Sequence, residues 1–164
     1  MTAEKSEMLG LLPEPDWTTL RLPSSFGSRP TFVSGDDDTD RLQVKYYYRP
    51  HDQRLVGKAW FGPGAQGPPG HAHGGSISAL LDEAMGFAGW VVDLPVVAAE
   101  ITIRFVEMLP LKQEVQFEAW IEQVNGRKVK TGSRVFAADG TTYGEGTGLF
   151  IVIDVEKFRK VLEG

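Results

Sequence analysis

Residues 62–90 read GPGAQGPPGHAHGGSISALLDEAMGFAGW, and this stretch holds the sharpest change of pattern in the 164-residue chain. Its first part is rich in proline and glycine, which excludes a helix or a central strand. From Gly75 to Val91 the apolar residues recur with a helical period. They are Ile77, Leu80, Leu81, Ala84, Met85 and Ala88. We therefore predict an irregular loop followed by one amphipathic helix about 25 Å long.

Runs with a period of two lie on both sides of this helix. RLQVKYYYRP at 41–50 and RLVGKAWFGP at 54–63 precede it, and four β-rich runs follow Pro95. Asn125-Gly126 and Asp139-Gly140 are typical of tight hairpins, so the later strands are expected to form an antiparallel meander. A short amphipathic helix is expected to close the chain. Its apolar side would be formed by Val155, Phe158, Val161 and Leu162.

The long helix needs a large apolar surface against which to bury its stripe. No other element in the sequence offers one, so the sheet is the expected partner. We predict an α+β fold in which an antiparallel sheet of about six strands wraps around one long central helix.

The first 40 residues differ in composition from the rest. Proline, glycine, serine and aspartate are frequent there, and they favour turns and caps. We predict an irregular N-terminal arm over 1–40, with room for a short helix around Glu4 to Leu11, and a single domain over 41–164. The residues that would pin the arm to this domain are Leu11, Leu12, Trp17, Leu20 and Leu22.

Composition and charge exclude several classes of protein. The formal net charge is -5, whereas a general nucleic-acid binder needs positive charge to neutralise phosphates. The absence of cysteine excludes disulfides, thiolate catalysis and cysteine-ligated metals. No apolar run approaches the roughly 20 residues of a membrane span, and the first residues lack a signal-peptide pattern. We expect a soluble, cytoplasmic protein with no nucleic-acid or membrane partner.

Asp82 lies away from the apolar stripe, on a helix face that it shares with Ser78, Gly86 and Gly89. Glycine inside a helix costs roughly 1 kcal/mol relative to alanine, so two of them on one face suggest that another surface approaches closely. That surface would be a second subunit or a ligand, with the carboxylate at the bottom of the gap. The alternative is a solvated helix residue. Glu83 lies on a different face, where we expect a structural or rim-facing role.

Gly74 and Gly75 stand at the start of the predicted helix. The first backbone N–H groups of a helix have no intrahelical partner and lie at the positive end of its dipole, so they suit an anion or a developing oxyanion. The alternative is that these glycines only make the turn. His71 and His73 have one residue between them, a spacing that two ligands of one metal ion can have, but no third ligand has a recognisable spacing. We predict no metal site, and expect His73 to fix the loop or to line a site.

HGGSISALLDEAMG at 73–86, preceded by GPGAQGPPG, resembles the signature of hotdog-fold acyl-CoA thioesterases, most of all their PaaI-like and THEM-type branch. In that family an acidic residue follows the histidine of the His-Gly-Gly motif by nine positions, and His73 and Asp82 have this spacing. The resemblance extends over residues 43–152. It leaves the N-terminal arm uncovered.

The resemblance implies a sheet wrapped around a central helix and hydrolysis of acyl-CoA thioesters, with no cofactor besides the coenzyme A of the substrate. It also implies homodimers, often paired into tetramers, with active sites at the subunit interface. Asp82 would be the general base or the nucleophile, and the Gly74 N–H, with Gly75, would polarise the thioester carbonyl. His73 would line the site, and Gln66 would place a side-chain amide near the oxyanion.

The chain departs from the family pattern at one position. Several members carry a serine or threonine, on the strand after the helix, that positions the water, and the matching residue here is Ala98. Glu100 or Thr102 would substitute if the register differs. Met85 is expected near the substrate pocket, although residues at such spacing are more often core.

Positive charge concentrates in one short strand of this acidic chain, at Arg127, Lys128, Lys130 and Arg134. Such a patch would suit the phosphates of coenzyme A. The alternative is the solvated outer face of an antiparallel strand.

Two other functions stay open at this stage. A hotdog dehydratase or hydratase usually needs a histidine paired with the acid, and the histidines at 51, 71 and 73 do not have that spacing. The second open function is a non-catalytic acyl-CoA-binding module with the same fold. The presence of Ala98 favours this function.

Overall fold

The computed structural model describes residues 10–20 and 30–163. Within these ranges the chain forms one antiparallel sheet, a long helix and a short C-terminal helix. The strands are β1 (Thr18–Thr19), β2 (Leu42–Arg49), β3 (Arg54–Phe61), β4 (Val96–Phe105), β5 (Glu114–Asn125), β6 (Lys128–Phe136) and β7 (Thr142–Val152). The helices are α1 (Gly74–Trp90) and α2 (Val155–Glu163), and a 3-10 turn spans Pro63–Ala65.

The sheet has the order β1-β2-β3-β5-β6-β7-β4, and all neighbouring strands are antiparallel. The six expected strands correspond to β2 to β7, so the predicted α+β architecture is confirmed. Gly126 and Gly140 adopt positive φ angles of 58° and 91° in the two predicted hairpin turns, a conformation that suits glycine. The sequence did not reveal β1, which is only two residues long. As the last strand in the order, β4 forms one edge of the sheet.

The apolar stripe of α1 is buried against the sheet, as its period predicts. Ile77, Leu80, Leu81, Ala84, Met85 and Ala88 are all buried. Alternate glycines of β7 face the helix, and a Cβ at Gly146 would lie 3.4 Å from Cε of Met85 and 2.5 Å from Oγ of Ser133. The glycines therefore allow α1 to lie close to the sheet. Each large apolar side chain buried there stabilises the fold by about 1.5–3 kcal/mol.

Residues 10–19 lie across the outer face of β2 and β3. Leu11 and Trp17 are buried, and the Trp17 and Tyr47 ring centroids are 5.8 Å apart. The Tyr47 hydroxyl donates a hydrogen bond of 2.9 Å to the carbonyl oxygen of Leu11. Of the other expected anchors, Leu20 packs against the core and Leu12 is exposed. Leu22 and most of the expected helix at 4–11 lie outside the described residues, and its last two residues are not helical.

A buried carboxylate on the outer face of the sheet binds three guanidinium groups. Glu118 is only 2% exposed and accepts hydrogen bonds from Arg49, Arg54 and Arg134, at 2.6, 2.6 and 2.7 Å. Burial alone would raise the pKa of Glu118, but the three arginines outweigh it and lower the pKa. This cluster links β2, β3, β5 and β6.

The C-terminal helix α2 begins after Asp154, whose Oδ1 accepts a hydrogen bond of 3.1 Å from the backbone N–H of Glu156. Of its expected apolar residues, Val155 is half-buried and Phe158 is exposed. The side chains of Val161 and Leu162 lie outside the described part of the chain. In the portion that the structure describes, no helix combines the length and apolarity needed to cross a bilayer.

Candidate active site

The proline–glycine loop before α1 is held by two backbone hydrogen bonds that its last two residues donate. The N–H of His73 donates to the carbonyl oxygen of Ala65 at 2.7 Å, and that of Ala72 donates to Leu109 at 2.8 Å. Gly67 lies so close to the start of the helix that a Cβ there would come within 2.8 Å of Cα of His73. The loop therefore fixes the position at which α1 begins.

His73 is the N-cap of α1, with extended backbone angles, and its Nδ1 accepts a hydrogen bond of 2.8 Å from the N–H of Gly75. An acceptor Nδ1 means that the neutral ring carries its proton on Nε2. The prediction that His73 fixes the loop is consistent with this contact. Serine, threonine, aspartate and asparagine are the usual N-caps, so no pattern in the sequence indicates a histidine in this role.

This cap corrects one expectation about the helix start. The Gly75 N–H already donates to His73, so it is not free to assist in polarising a carbonyl. The Gly74 N–H, in contrast, has no acceptor among the described residues. A Cβ at residue 74 would lie 3.0 Å from Cζ of Phe105, so a larger residue there would press against this ring. The helix thus offers one free amide at the positive end of its dipole.

Asp82 is half-buried on α1, and no described residue donates a hydrogen bond to its carboxylate. Burial raises its pKa, and the negative charge of the adjacent Glu83 raises it further. The carboxylate is therefore neither freely solvated nor neutralised by a cation, which suits a group that accepts a proton.

Glu83 has a different environment, although it is the next residue. It accepts 2.6 Å hydrogen bonds from the Tyr46 hydroxyl and from Oγ1 of Thr31. Burial, followed by the charge of Glu83, raises the pKa of Tyr46 well above its ordinary value, so this hydroxyl keeps its proton. The ring of Tyr46 packs edge-on against Phe87 and Phe117. Glu83 therefore joins α1 to β2 and to the segment before it, a structural role of the kind expected.

Asp82 and Gly74 are far apart within one chain. They are eight residues apart in α1. At 1.5 Å per residue this places them about 12 Å apart along the helix axis. One thioester carbonyl cannot contact the Gly74 amide while its carbon lies beside Asp82 of the same chain.

The register of β4 shows whether Glu100 or Thr102 can replace the hydroxyl that Ala98 lacks. Ala98 pairs with Phe150 on the helix side of the sheet. A β-bulge follows, and Glu100 and Thr102 then pair with Leu149 and Thr147, on the outer face. The expectation that Glu100 or Thr102 substitutes at this site is therefore wrong within the subunit. The bulge could not be read from the sequence.

Three more expectations about binding residues are changed by the structure. Met85 is 0% exposed, so it belongs to the core and not to a substrate pocket, because it lies on the sheet-facing stripe. Lys128 and Lys130 are exposed on the outer face of β6, away from α1. Arg134 binds Glu118, so the basic residues do not form one free cluster beside the helix.

Two cavities flank the start of α1. The larger, of 530 Å³, lies between residues 30–42 and the helix. Gln66, exposed and with Oε1 accepting a 3.1 Å hydrogen bond from the N–H of Gly70, lines it together with His73 and Gly75. The smaller, of 270 Å³, lies on the Gly74 side against Phe105 and Met108. Within residues 10–20 and 30–163, no three histidine or acidic side chains are grouped so as to hold a metal ion.

An antiparallel sheet around one long helix, with a free amide at the helix start and an unpaired carboxylate two turns later, is a hotdog fold with the features of a thioester-processing site. The sequence profile of the thioesterase superfamily matches residues 69–143. The acyl-coenzyme A thioesterase THEM4 of Bos taurus is 32% identical over 127 residues, which cover 77% of this chain and 52% of that protein. The chain is therefore similar in sequence and in fold to thioesterases of the THEM/PaaI type.

Solved structures agree with this assignment. A crystal structure of a thioesterase superfamily protein matches with a TM-score of 0.63 at 29% identity, covering 66% of this chain and 53% of that one. The PaaI protein from the phenylacetic acid degradation operon of E. coli has a TM-score of 0.61 at 16% identity, covering 68% of this chain and 80% of that one, and shares the fold. The chain spans about half the length of the curated relatives it matches.

Proposed function

We propose that this protein hydrolyses acyl-CoA thioesters to a free acid and coenzyme A. The observation that carries the proposal is the half-buried, unpaired carboxylate of Asp82 on the same helix as the free amide of Gly74. The match to the thioesterase superfamily profile and the similarity to acyl-coenzyme A thioesterases support the substrate class. The attacking group is water or the carboxylate itself, so the reaction needs no cofactor.

Asp82 and the Gly74 amide would act on opposite sides of the reacting carbonyl. As general base, Asp82 takes a proton from the water that attacks the thioester carbon. As nucleophile, it forms a mixed anhydride that water then cleaves. Both routes pass through a tetrahedral oxyanion, which the Gly74 N–H and the helix dipole stabilise. Collapse of that intermediate breaks the C–S bond and releases the coenzyme A thiol.

The distance of about 12 Å along α1 means that this site requires a second copy of the chain. A homodimer, alone or as a dimer of dimers, is the assembly we propose. The edge strand β4 offers the surface for it, with large apolar side chains exposed on it and just after it: Val97, Phe105, Val106 and Met108. Antiparallel pairing of two β4 strands about a twofold axis would place the two α1 helices side by side in opposite directions. Gly74 of one copy would then approach Asp82 of the other.

The test compares wild type with Asp82→Asn by thiol release from acetyl-, butyryl-, octanoyl- and phenylacetyl-CoA. We expect Asp82→Asn to lower turnover by about 10²–10⁴-fold while binding of the acyl-CoA is retained. Asp93→Asn is the matched control, because Asp93 is exposed just beyond the helix and its positive φ of 60° suits asparagine.

Two results would overturn the proposal. Wild-type protein that binds acyl-CoA but releases no thiol would identify a binding module, the function that Ala98 favours because it provides no hydroxyl to hold water. Equal turnover in wild type and Asp82→Asn would remove Asp82 from the chemistry.

A further inference from the structure

We propose that His71 is a further catalytic residue of the candidate site, and that its Nε2 accepts a hydrogen bond from the water that attacks the acyl carbon. This inference rests on the proposed thioesterase function and adds to it the group that positions the water. Ala98 provides no hydroxyl for this task, and within the subunit Glu100 and Thr102 lie on the outer face of the sheet.

The loop before α1 holds the ring of His71 in one orientation. Its Nδ1 lies 2.9 Å from the carbonyl oxygen of Pro69. A carbonyl oxygen only accepts, so Nδ1 carries the proton of the neutral ring and Nε2 keeps a free lone pair. The backbone is fixed as well, because the N–H of His71 donates to Pro68 at 2.9 Å and its carbonyl oxygen accepts from Gly67 at 3.0 Å. Nε2 is therefore a hydrogen-bond acceptor with a fixed direction.

His71 and Gly74 line the same cavity, the smaller one of 270 Å³. The Gly74 N–H has no acceptor among the described residues and is the donor that we propose for the oxyanion. A carbonyl bound at that amide therefore has its carbon close to the cavity that His71 lines. The two residues are three positions apart in one chain, so they reach this site together without help from the second copy.

The lining of this cavity leaves few candidates for holding a water molecule. Among the described residues that form it, only His71 and Glu107 have polar side chains, and none has a hydroxyl. A water held in a cavity needs 2–4 polar partners. In the proposed dimer Asp82 of the second copy would be one partner of the attacking water. A second side-chain partner must then be His71 or Glu107.

Glu107 is the competing acceptor, and its environment argues against it. It is exposed just after β4, and no described residue donates a hydrogen bond to its carboxylate. Ordering such a long side chain during the reaction would cost conformational entropy, which His71 has already lost in the folded loop. A second carboxylate close to Asp82 would also repel it when both are ionised. A neutral acceptor has neither disadvantage.

The proposed role leaves the proton balance of the reaction unchanged. The water oxygen bonds to the thioester carbon, one proton of the water passes to Asp82, and the other O–H points to Nε2 of His71, which takes no proton. When the C–S bond breaks, its electron pair leaves with the sulfur, which receives the proton from Asp82. If Asp82 forms the anhydride instead, the same nitrogen holds the water that cleaves it. The free acid then keeps one proton of this water, and the returning Asp82 carboxyl takes the other and passes it to solvent.

Two substitutions separate this role from support of the loop. In His71→Asn, Nδ2 lies as many bonds from Cβ as Nδ1 does, so the hydrogen bond to Pro69 can be kept while the acceptor at Nε2 is lost. In His71→Gln the amide reaches as far as Nε2 and can offer its oxygen there, but the contact with Pro69 is lost. For the acyl-CoA that wild type hydrolyses fastest, we expect His71→Asn to lower kcat by about 10–100-fold without raising KM, at the urea midpoint of wild type. His71→Gln should be less stable but more active than His71→Asn.

His51→Asn, the same change at an exposed histidine in the turn after β2, is the control and should leave kcat unchanged. Turnover of His71→Asn equal to that of wild type would overturn the proposal, and a loss of turnover in Glu107→Gln alone would give the role to Glu107. A higher KM at unchanged kcat would overturn it too, because His71 would then contact the substrate and not the water.

If His71→Asn does not fold, His71→Gln and His71→Phe decide. The proposal requires the glutamine variant to be the more active of the two, and equal activity would overturn it. Wild-type protein that releases no thiol from any ester would refute the proposed function, and this inference with it. Active wild type with an unaffected His71→Asn would refute this inference alone.

Discussion

His73 caps α1 through a hydrogen bond that can be removed and restored by substitution. In His73→Ala the Gly75 N–H loses its acceptor, which costs about 0.5–2 kcal/mol at a helix start. His73 is exposed, so water replaces the lost acceptor and we expect the lower part of that range, about 0.5–1 kcal/mol. For a chain of this size, 1 kcal/mol corresponds to about 2–4 °C in Tm.

The free energy of unfolding is measured by urea titration at one fixed protein concentration, so that association does not change between variants. His73→Asn should restore the stability of wild type to within a few tenths of a kcal/mol, because asparagine is a strong N-cap. Equal stability of wild type and His73→Ala, or an asparagine variant as unstable as the alanine variant, would refute the capping role. Turnover by His73→Asn separates this role from any contact between Nε2–H and the substrate, since only the cap is restored.

Two other predictions concern the carboxylate and the edge of the sheet. Because Asp82 must be ionised to accept a proton, kcat/KM should fall as the pH drops through its raised pKa. Glu83→Gln removes one charge that raises this pKa, so the fall should move to lower pH in a pH–rate profile; an unmoved profile would contradict the coupling. Val97→Lys places a charge on the exposed edge strand, so light scattering should show monomers, and these monomers should have no turnover. A fully active monomer would contradict an active site that is shared between two copies.

The elements of the fold were predictable because their signals are local. The apolar stripe of α1 and the Asn-Gly and Asp-Gly turns depend on residues close together in sequence, and both are confirmed. The strand β1 was not predictable, because its two threonines pair with Tyr47 and Tyr48, which lie far from them in the sequence. The division of the chain into an arm and a domain at residue 40, and the cytoplasmic location, stay predictions.

The residues of the candidate site could be proposed from the sequence, but their contacts could not be predicted. The spacing of His73, Gly74 and Asp82 indicated the helix start and the carboxylate. The hydrogen bond that occupies Gly75 depends on the rotamer of His73, and the outward direction of Glu100 depends on a bulge, so neither follows from a pattern. The contact between Thr31 and Glu83 joins residues 52 positions apart, and no local pattern in the sequence predicts it.

The separation of Asp82 from Gly74 along α1 has a genetic consequence. In a twofold pair built as proposed, each of two sites takes its carboxylate from one copy and its amide from the other. A mixed dimer of wild type and Asp82→Asn would keep one working site, so one inactive allele would lower activity in proportion to its dose without suppressing the normal copy. Two chains defective at different ends of the helix would rescue one another in the same cell.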